Sequence, residues 1–211
     1  MSENQNELTI ENSAVVLIDH QPAIALMTTP PSQTELVSNV AGLARTAKIL
    51  GVPTVLTTVG ATGGPLDDPI FAEISEVFPD LKPIDRVTTN AWAHPEVRAA
   101  VAATGRRKLV MAGLSTDVCL AQAVIGALKD GYEVYFVSDC SAGVSPEAHE
   151  DAKTRLTMAG ARPINWTALL SEWTPEITSP ERVALTDVLM RHGGAAALWT
   201  NYVLAQGSAG E

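Results

Sequence analysis

A chain of 211 residues suits one domain, and its 46% hydrophobic content is too high for a disordered polymer. A formal net charge of -10, with no Lys/Arg cluster, argues against a nucleic-acid surface, and no apolar run reaches bilayer length. Two cysteines make no disulfide framework, the four histidines (His20, His94, His149, His192) fit no metal-ligand spacing, and the polar stretch Met1 to Asn12 is unlike a signal peptide. A cytoplasmic protein with reduced thiols and no metal or cofactor is therefore expected.

In chain order, Ala14 to Ile18 reads as a buried strand ending at Asp19, and a helix follows from about Thr34 to Leu50, stopped by Gly51. Val52 to Thr58 reads as a second strand, followed by a Gly/Pro-rich loop (Gly60 to Pro69) and a short helix near Phe71. Pro83 to Val87 is a third strand, and Pro95 opens a helix to Thr104 that ends at Gly105. The second half is more regular. Strands at Lys108–Gly113, Tyr132–Ser138 and Ala161–Trp166 alternate with helices at Val118–Lys129 and Pro146–Met158. This alternation predicts a parallel sheet with right-handed crossovers, hence a three-layer α/β/α sandwich. Beyond Trp173, Pro175 and Pro180 break the chain. Glu181 to Leu204 then reads as a helix interrupted at Gly193-Gly194 and rich in apolar residues, including Leu198, Trp199 and Tyr202. Either it folds back on its own core or it packs on another subunit. The expected divisions are a polar tail (1–12), a catalytic domain (13–174) and a helical extension (175–211).

In an open parallel sheet, ligands bind beyond the carboxyl ends of the strands. Asp19, His20 and Gln21 follow the first strand, and Leu114 to Cys119 follow the strand at 108–113. If these strands are neighbours, Asp19 and Cys119 share a crevice. Cys119 falls at the first turn of a helix, where unpaired N–H groups and the helix dipole favour a thiolate; the plainer alternative is a small buried hydrophobe. A carboxylate at Asp19, beside a low-dielectric sheet, requires a hydrogen-bonding or charged partner. His20 and Gln21 orient it or pack. Cys140, with no helix start directly behind it, reads as structural.

Three segments carry a resemblance: Val16-Leu17-Ile18-Asp19-His20-Gln21; Ile84-Asp85-Arg86 with Asn90-Ala91-Trp92; and Ala112-Gly113-Leu114-Ser115-Thr116-Asp117-Val118-Cys119. Together they resemble the isochorismatase-like cysteine hydrolase superfamily, which includes nicotinamidases and N-carbamoylsarcosine amidase, over about Ala14 to Trp173. The resemblance implies a mainly parallel six-stranded sheet ordered 3-2-1-4-5-6 and a triad of Asp19, Cys119 and, in the family's lysine position, Arg86. An arginine there would act as a fixed charge, because it does not give up its proton. It also implies a non-proline cis peptide at Leu114–Ser115, turning the Ser115 N–H toward the same point as the Cys119 N–H to form an oxyanion hole. Nicotinamidases carry an Asp-x-His metal set after the second strand, where this chain reads Thr57-Thr58-Val59-Gly60, so no metal is expected. Isochorismatases proper lack the nucleophilic cysteine, so Cys119 argues against vinyl-ether cleavage.

The expected activity is cleavage of a small amide, carbamoyl or related C–N bond through a thioester, with Gln21, Asn90 and Trp92 binding the substrate; for Asn90 and Trp92 the alternative is that they anchor the loop. Related ring-forming proteins imply a homo-oligomer, a tetramer or octamer, whose partner is otherwise a small molecule, not a membrane or nucleic acid. Two rivals share the fold: a non-catalytic assembly or binding protein, and a redox-sensing thiol protein.

Overall fold

The structure, a computed structural model, describes residues 7–63 and 67–208. The first half of the expected polar tail (1–6) and part of the Gly/Pro-rich loop (64–66) lie outside the described residues. Six strands form one sheet: β1 (Ser13–Ile18), β2 (Thr54–Val59), β3 (Ile84–Arg86), β4 (Lys108–Gly113), β5 (Glu133–Val137) and β6 (Arg162–Ile164). Their order is β3-β2-β1-β4-β5-β6, and every pairing is parallel. This is the 3-2-1-4-5-6 order expected, and it sets β1 beside β4, with Ile18 opposite Gly113. A Cβ on Gly113 would lie 2.8 Å from that of Ile18, so glycine lets the ends of the two central strands close up.

The helices are α1 (Pro22–Ala25), α2 (Gln33–Ile49), α3 (Ala72–Ser75), α4 (Pro95–Ala103), α5 (Ala121–Lys129), α6 (Pro146–Met158), α7 (Trp166–Trp173), α8 (Pro180–Ala184), α9 (Thr186–His192) and α10 (Ala195–Ser208). Side-chain alternation along the strands divides the core. Val15, Leu17, Val110, Ala112, Tyr135 and Val137 pack with α2, α7 and α9, whereas Val16, Ile18, Met111 and Phe136 pack with α5 and with Val101 of α4 and Leu156 of α6. The expected three layers are present. Among the described residues no helix is long and apolar enough to cross a membrane.

Several boundaries differ from the sequence reading. The last strand stops at Ile164, because Asn165 caps a new helix by accepting from the Ala168 N–H at 2.7 Å. The chain before β1 is less of a tail than its composition suggests. Leu8 is fully buried, and the Asn12 carboxamide accepts from the Thr9 N–H. The C-terminal segment divides its behaviour. Leu185, Val188 and Leu189 enter the main core against α2, while Leu198, Trp199 and Tyr202 of α10 stand in solvent.

His20, directly beyond β1, is fully buried; its Nε2 lies 2.9 Å from the Cys140 carbonyl, which an N–H there satisfies. Burial pushes its pKa down to about 4, only partly opposed by the Cys140 carbonyl and the Asp19 charge. The folded protein thus refuses a proton that the unfolded chain accepts, and stability falls as pH drops through the window from about 6.5 to 4. Denaturant titrations should lose on the order of 3 kcal/mol across that window from this residue alone. His20→Gln, which keeps a donor but takes no charge, should flatten that part of the profile.

Candidate active site

The carboxyl edge of the central strands collects the polar groups. Asp19 follows β1 with φ 57, a left-handed conformation that aspartate tolerates better than most residues. Its carboxylate is fully buried and held from two sides. Thr57, at the end of β2, donates its hydroxyl to Oδ1 at 2.9 Å. Arg86, the last residue of β3, grips both oxygens, Nη1 to Oδ1 at 2.7 Å and Nη2 to Oδ2 at 2.5 Å. Nη1 and Nη2 also reach the carbonyls of Thr58 (2.9 Å) and Thr89 (3.1 Å), while the buried Nε has no partner among the described residues. Both side chains have no solvent exposure, so the pair is a buried bidentate salt bridge. Lys82 precedes β3 and so stands at the opposite end of that strand.

Beyond β4 the Leu114–Ser115 peptide is cis, and residues Thr116–Leu120 form one π-helical turn before α5 begins. The turn is one of the irregularities that recur at functional sites, and it carries Cys119, which is 6% exposed. The Cys119 thiol lies within hydrogen-bonding reach of the Asp19 carboxylate, with the Arg86 charge and the Ser115 N–H also close enough to act on it. The structure therefore brings Asp19, Arg86, Ser115 and Cys119 to one place.

The electrostatics differ from the sequence expectation of a thiolate. Burial first, then the Asp19 charge and its hydrogen bond, push the Cys119 thiol up to about 12, outweighing Arg86 and the Ser115 N–H. The resting site holds a neutral thiol beside a carboxylate. Cys140, fully buried, is raised well above the ordinary thiol range, by burial first and then by Asp139.

The three residues expected to bind substrate have other work. Gln21 is fully buried; its amide donates to the carbonyls of Val59 (3.3 Å) and Asp68 (2.8 Å) and accepts from the Val59 N–H (2.8 Å). It joins two loops, and both of its donors are spent. Asn90 accepts from the Trp92 N–H at 3.0 Å and caps a short 3-10 turn (Ala91–Ala93). Trp92 packs on Gly126 of α5 and donates its indole N–H to Asp130 at 2.8 Å, at the far end of that helix from Cys119. It is a core anchor. In contrast, Thr57 carried no distinguishing pattern beyond being a hydroxyl within an apolar strand, yet it touches both members of the ion pair. Thr116 of the cysteine-bearing turn is similarly fastened, 2.9 Å from Nδ1 of His149, an imidazole that burial keeps below its ordinary pKa. Where nicotinamidases carry their metal set, the Thr57 and Thr58 hydroxyls are given to Asp19 and Asp85.

Comparison with known proteins identifies the family of the chain. Residues 13–168 match the family model described as the isochorismatase domain. The probable hydrolase YcaC of Escherichia coli K12 is 33% identical over 162 residues, which are 76% of this chain and 77% of that protein. The solved structure of YcaC from Pseudomonas aeruginosa with hexane-2,5-diol and covalent acrylamide superposes with a TM-score of 0.88 at 32% identity, covering 98% of this chain and 100% of that one. The Escherichia coli YcaC structure, described as an octameric hydrolase of unknown specificity, also gives 0.88, at 29% identity over 97% of this chain and all of that one. The chain belongs to the isochorismatase family of hydrolases.

Proposed function

We propose that this hydrolase is a cysteine amidase in type, cleaving a small amide, carbamoyl or related C–N bond through a thioester on Cys119. The observation that carries this reading is the Asp19 carboxylate, fixed by Arg86 and placed to accept the Cys119 thiol proton. A thiol pushed up to about 12 supplies almost no thiolate at neutral pH, so the base must act during attack. Asp19 takes the proton as sulfur bonds to the carbonyl carbon, and the N–H groups of Ser115 and Cys119 receive the oxyanion. When the C–N bond breaks, Asp19 returns the proton to the leaving nitrogen. Water then gives a proton to Asp19 while its oxygen attacks the thioester. As the C–S bond breaks, sulfur recovers that proton, and the carboxylic acid departs. Arg86 remains a fixed cation throughout.

The covalent acrylamide held by the Pseudomonas relative supports a reactive centre open to small electrophiles on this fold. The redox-sensor alternative fits less well, because ready oxidation requires thiolate character and exposure, and Cys119 has neither at rest. Assembly is a second part of the proposal. Leu198, Trp199 and Tyr202 are 74%, 63% and 65% exposed on α10 of a single chain, and the Escherichia coli relative is an octamer, so residues 175–211 serve a homo-oligomer of this protein.

Cys119→Ala should abolish labelling by a thiol-directed electrophile at neutral pH, read by intact mass, whereas Cys140→Ala should retain it; equal labelling of both variants would overturn the nucleophile assignment. Asp19→Asn separates base from environment. Turnover should fall at least about 10²-fold. Thiol ionisation should nonetheless move to lower pH, because the charge and hydrogen bond of Asp19 are two of the causes that raise it. Turnover within a few-fold of the parent would remove Asp19 from the mechanism. Arg86→Met strands a buried carboxylate and should cost about 3–5 kcal/mol in a urea titration. Arg86→Lys should recover much of that stability.

A further inference from the structure

Strand ends, helix starts and the loops joining them share one edge of a parallel sheet, and the Cys119 site lies on that edge. The fourteen Lys and Arg residues are distributed very unevenly with respect to it. Lys82, Arg106, Arg107, Lys108 and Arg162 precede or open strands, and Lys48, Lys129 and Arg155 lie in last turns of helices, so these eight occupy the opposite edge. Arg45, Arg182 and Arg191 belong to α2, α8 and α9. Arg98 donates to the Trp92 carbonyl at 2.6 Å, and Lys153 pairs with Glu150 at 2.8 Å. Among the described residues Arg86 alone is a Lys or Arg within the site, and its charge is consumed by Asp19.

Acids, in contrast, recur along the site edge, where they hold the loops in place. Asp68 accepts from the Ala23 N–H (2.6 Å), Asp85 from those of Ala61 (3.0 Å) and Thr62 (3.2 Å), and Asp117 from that of Val144 (3.4 Å). Three of the helix starts, the usual anion sites of such an edge, are occupied by side chains of the chain itself, whereas those of α3, α4 and the cysteine-bearing turn carry no side-chain cap. Asp68 fills that of α1, Ser32 caps α2 through the Glu35 N–H, and Ser145 caps α6 through the Ala148 N–H. Between these acids the loops expose apolar groups. Leu26 and Met27 follow β1, Val87 follows Arg86, and Val144 is fastened to the cysteine-bearing turn through Asp117. Thr29 N–H to Gly143 carbonyl, 2.6 Å, ties the first of these loops to the last.

We infer that the Cys119 site takes uncharged carbonyl compounds and turns away carboxylates and other anions, because its single cation is neutralised internally and its rim offers acids and apolar side chains without a free base. The inference rests on Cys119 being the nucleophile. An anion approaching this edge meets the negative charge of these acids and finds no unpaired Lys or Arg to offset its lost hydration, whereas a neutral amide loses little.

Paired alkylating reagents test it on the full-length protein. The rates at which iodoacetamide and iodoacetate modify Cys119 are followed by mass spectrometry of its peptide and divided by the corresponding rates for N-acetylcysteine. This removes the intrinsic reactivity of each reagent, and any change in thiol ionisation cancels between them. The amide should be favoured about tenfold or more beyond the free-thiol ratio, a preference that high salt diminishes. Val87→Lys, at a position 93% exposed and therefore tolerant of substitution, should narrow it several-fold. Rapid modification by both reagents at the free-thiol ratio would overturn the selectivity and leave the nucleophile intact. Modification of Cys119 by neither reagent, together with no Cys119-dependent hydrolysis of neutral amides, would overturn both.

Discussion

A buried ion pair fixes the geometry on which the site depends. Asp19 ends the first strand and Arg86 the third, with β2 between them. Strands two places apart are separated by about 10 Å, so only a long side chain laid across the middle strand can join them. Arg86 makes that crossing over Thr57 and Thr58, donating to the carbonyl of one and lying 3.3 Å from the hydroxyl of the other. Removing two ions from water costs on the order of several kcal/mol each, and attraction alone does not reliably offset it. Here the shortfall is met by hydrogen bonds to Thr57, Thr58 and Thr89, which leave both carboxylate oxygens and both terminal guanidinium nitrogens satisfied. The pair therefore acts as a specific lock on the ends of three strands, and it holds a carboxylate at the one place where the thiol of the neighbouring strand's turn can reach it.

That lock alters what the helix start can do for Cys119. A cysteine in the first turn of a helix ordinarily gains thiolate character from the dipole and free N–H groups. In this chain the turn is sunk to 6% exposure and faces a carboxylate, and both effects oppose a second negative charge. Desolvation and like charge win over Arg86 and the Ser115 N–H. The consequence is a resting thiol of low intrinsic reactivity, which under the proposed mechanism gains nucleophilicity when substrate couples proton transfer to carbon–sulfur bond formation.

The backbone plan was legible because it rests on periodicity and on chain punctuation. Gly51, Gly105, Gly131 and Gly160 each follow a helix in a left-handed conformation that favours glycine, and the strands between them are continuous apolar runs. Ending the last strand at Trp166 and assigning no element up to Trp173 overlooked Trp166, Leu169, Leu170 and Trp173, whose spacing of three, one and three residues marks one buried helical face. In the site, Asp19 and Cys119 were legible from their places after buried strands, and Arg86 from the resemblance. Gln21, Asn90 and Trp92 were harder to assign, for a common reason. Sequence places a polar or aromatic group on the correct edge, but whether its donors face a ligand or a neighbouring loop depends on packing between segments far apart in the chain, such as Trp92 with Asp130. Thr57 was invisible for the converse reason. One hydroxyl within TVLTTV resembles ordinary strand chemistry until the third strand brings an arginine across it.

Arginine in place of lysine also restricts the chemistry that the site can perform. A lysine can take part in proton traffic, whereas a guanidinium cannot, so the Asp19–Cys119–Arg86 cluster contains one mobile proton. In the proposed cycle every transfer, from thiol to base, from base to leaving nitrogen, and from water through base to sulfur, would pass through the same carboxylate in turn. Such a cycle is best matched by a substrate that adds no charge of its own, since an anionic group near Asp19 would raise the cost of every step in which the carboxylate is deprotonated. The distribution of charge over the molecule works in the same direction. Bases gather at the edge remote from Cys119, acids and bare apolar groups gather around it, and the one cation within is neutralised. A site that keeps its own charges balanced and buried is thereby suited to polarising a neutral carbonyl by hydrogen bonds, the least costly form of electrostatic assistance once water has been excluded.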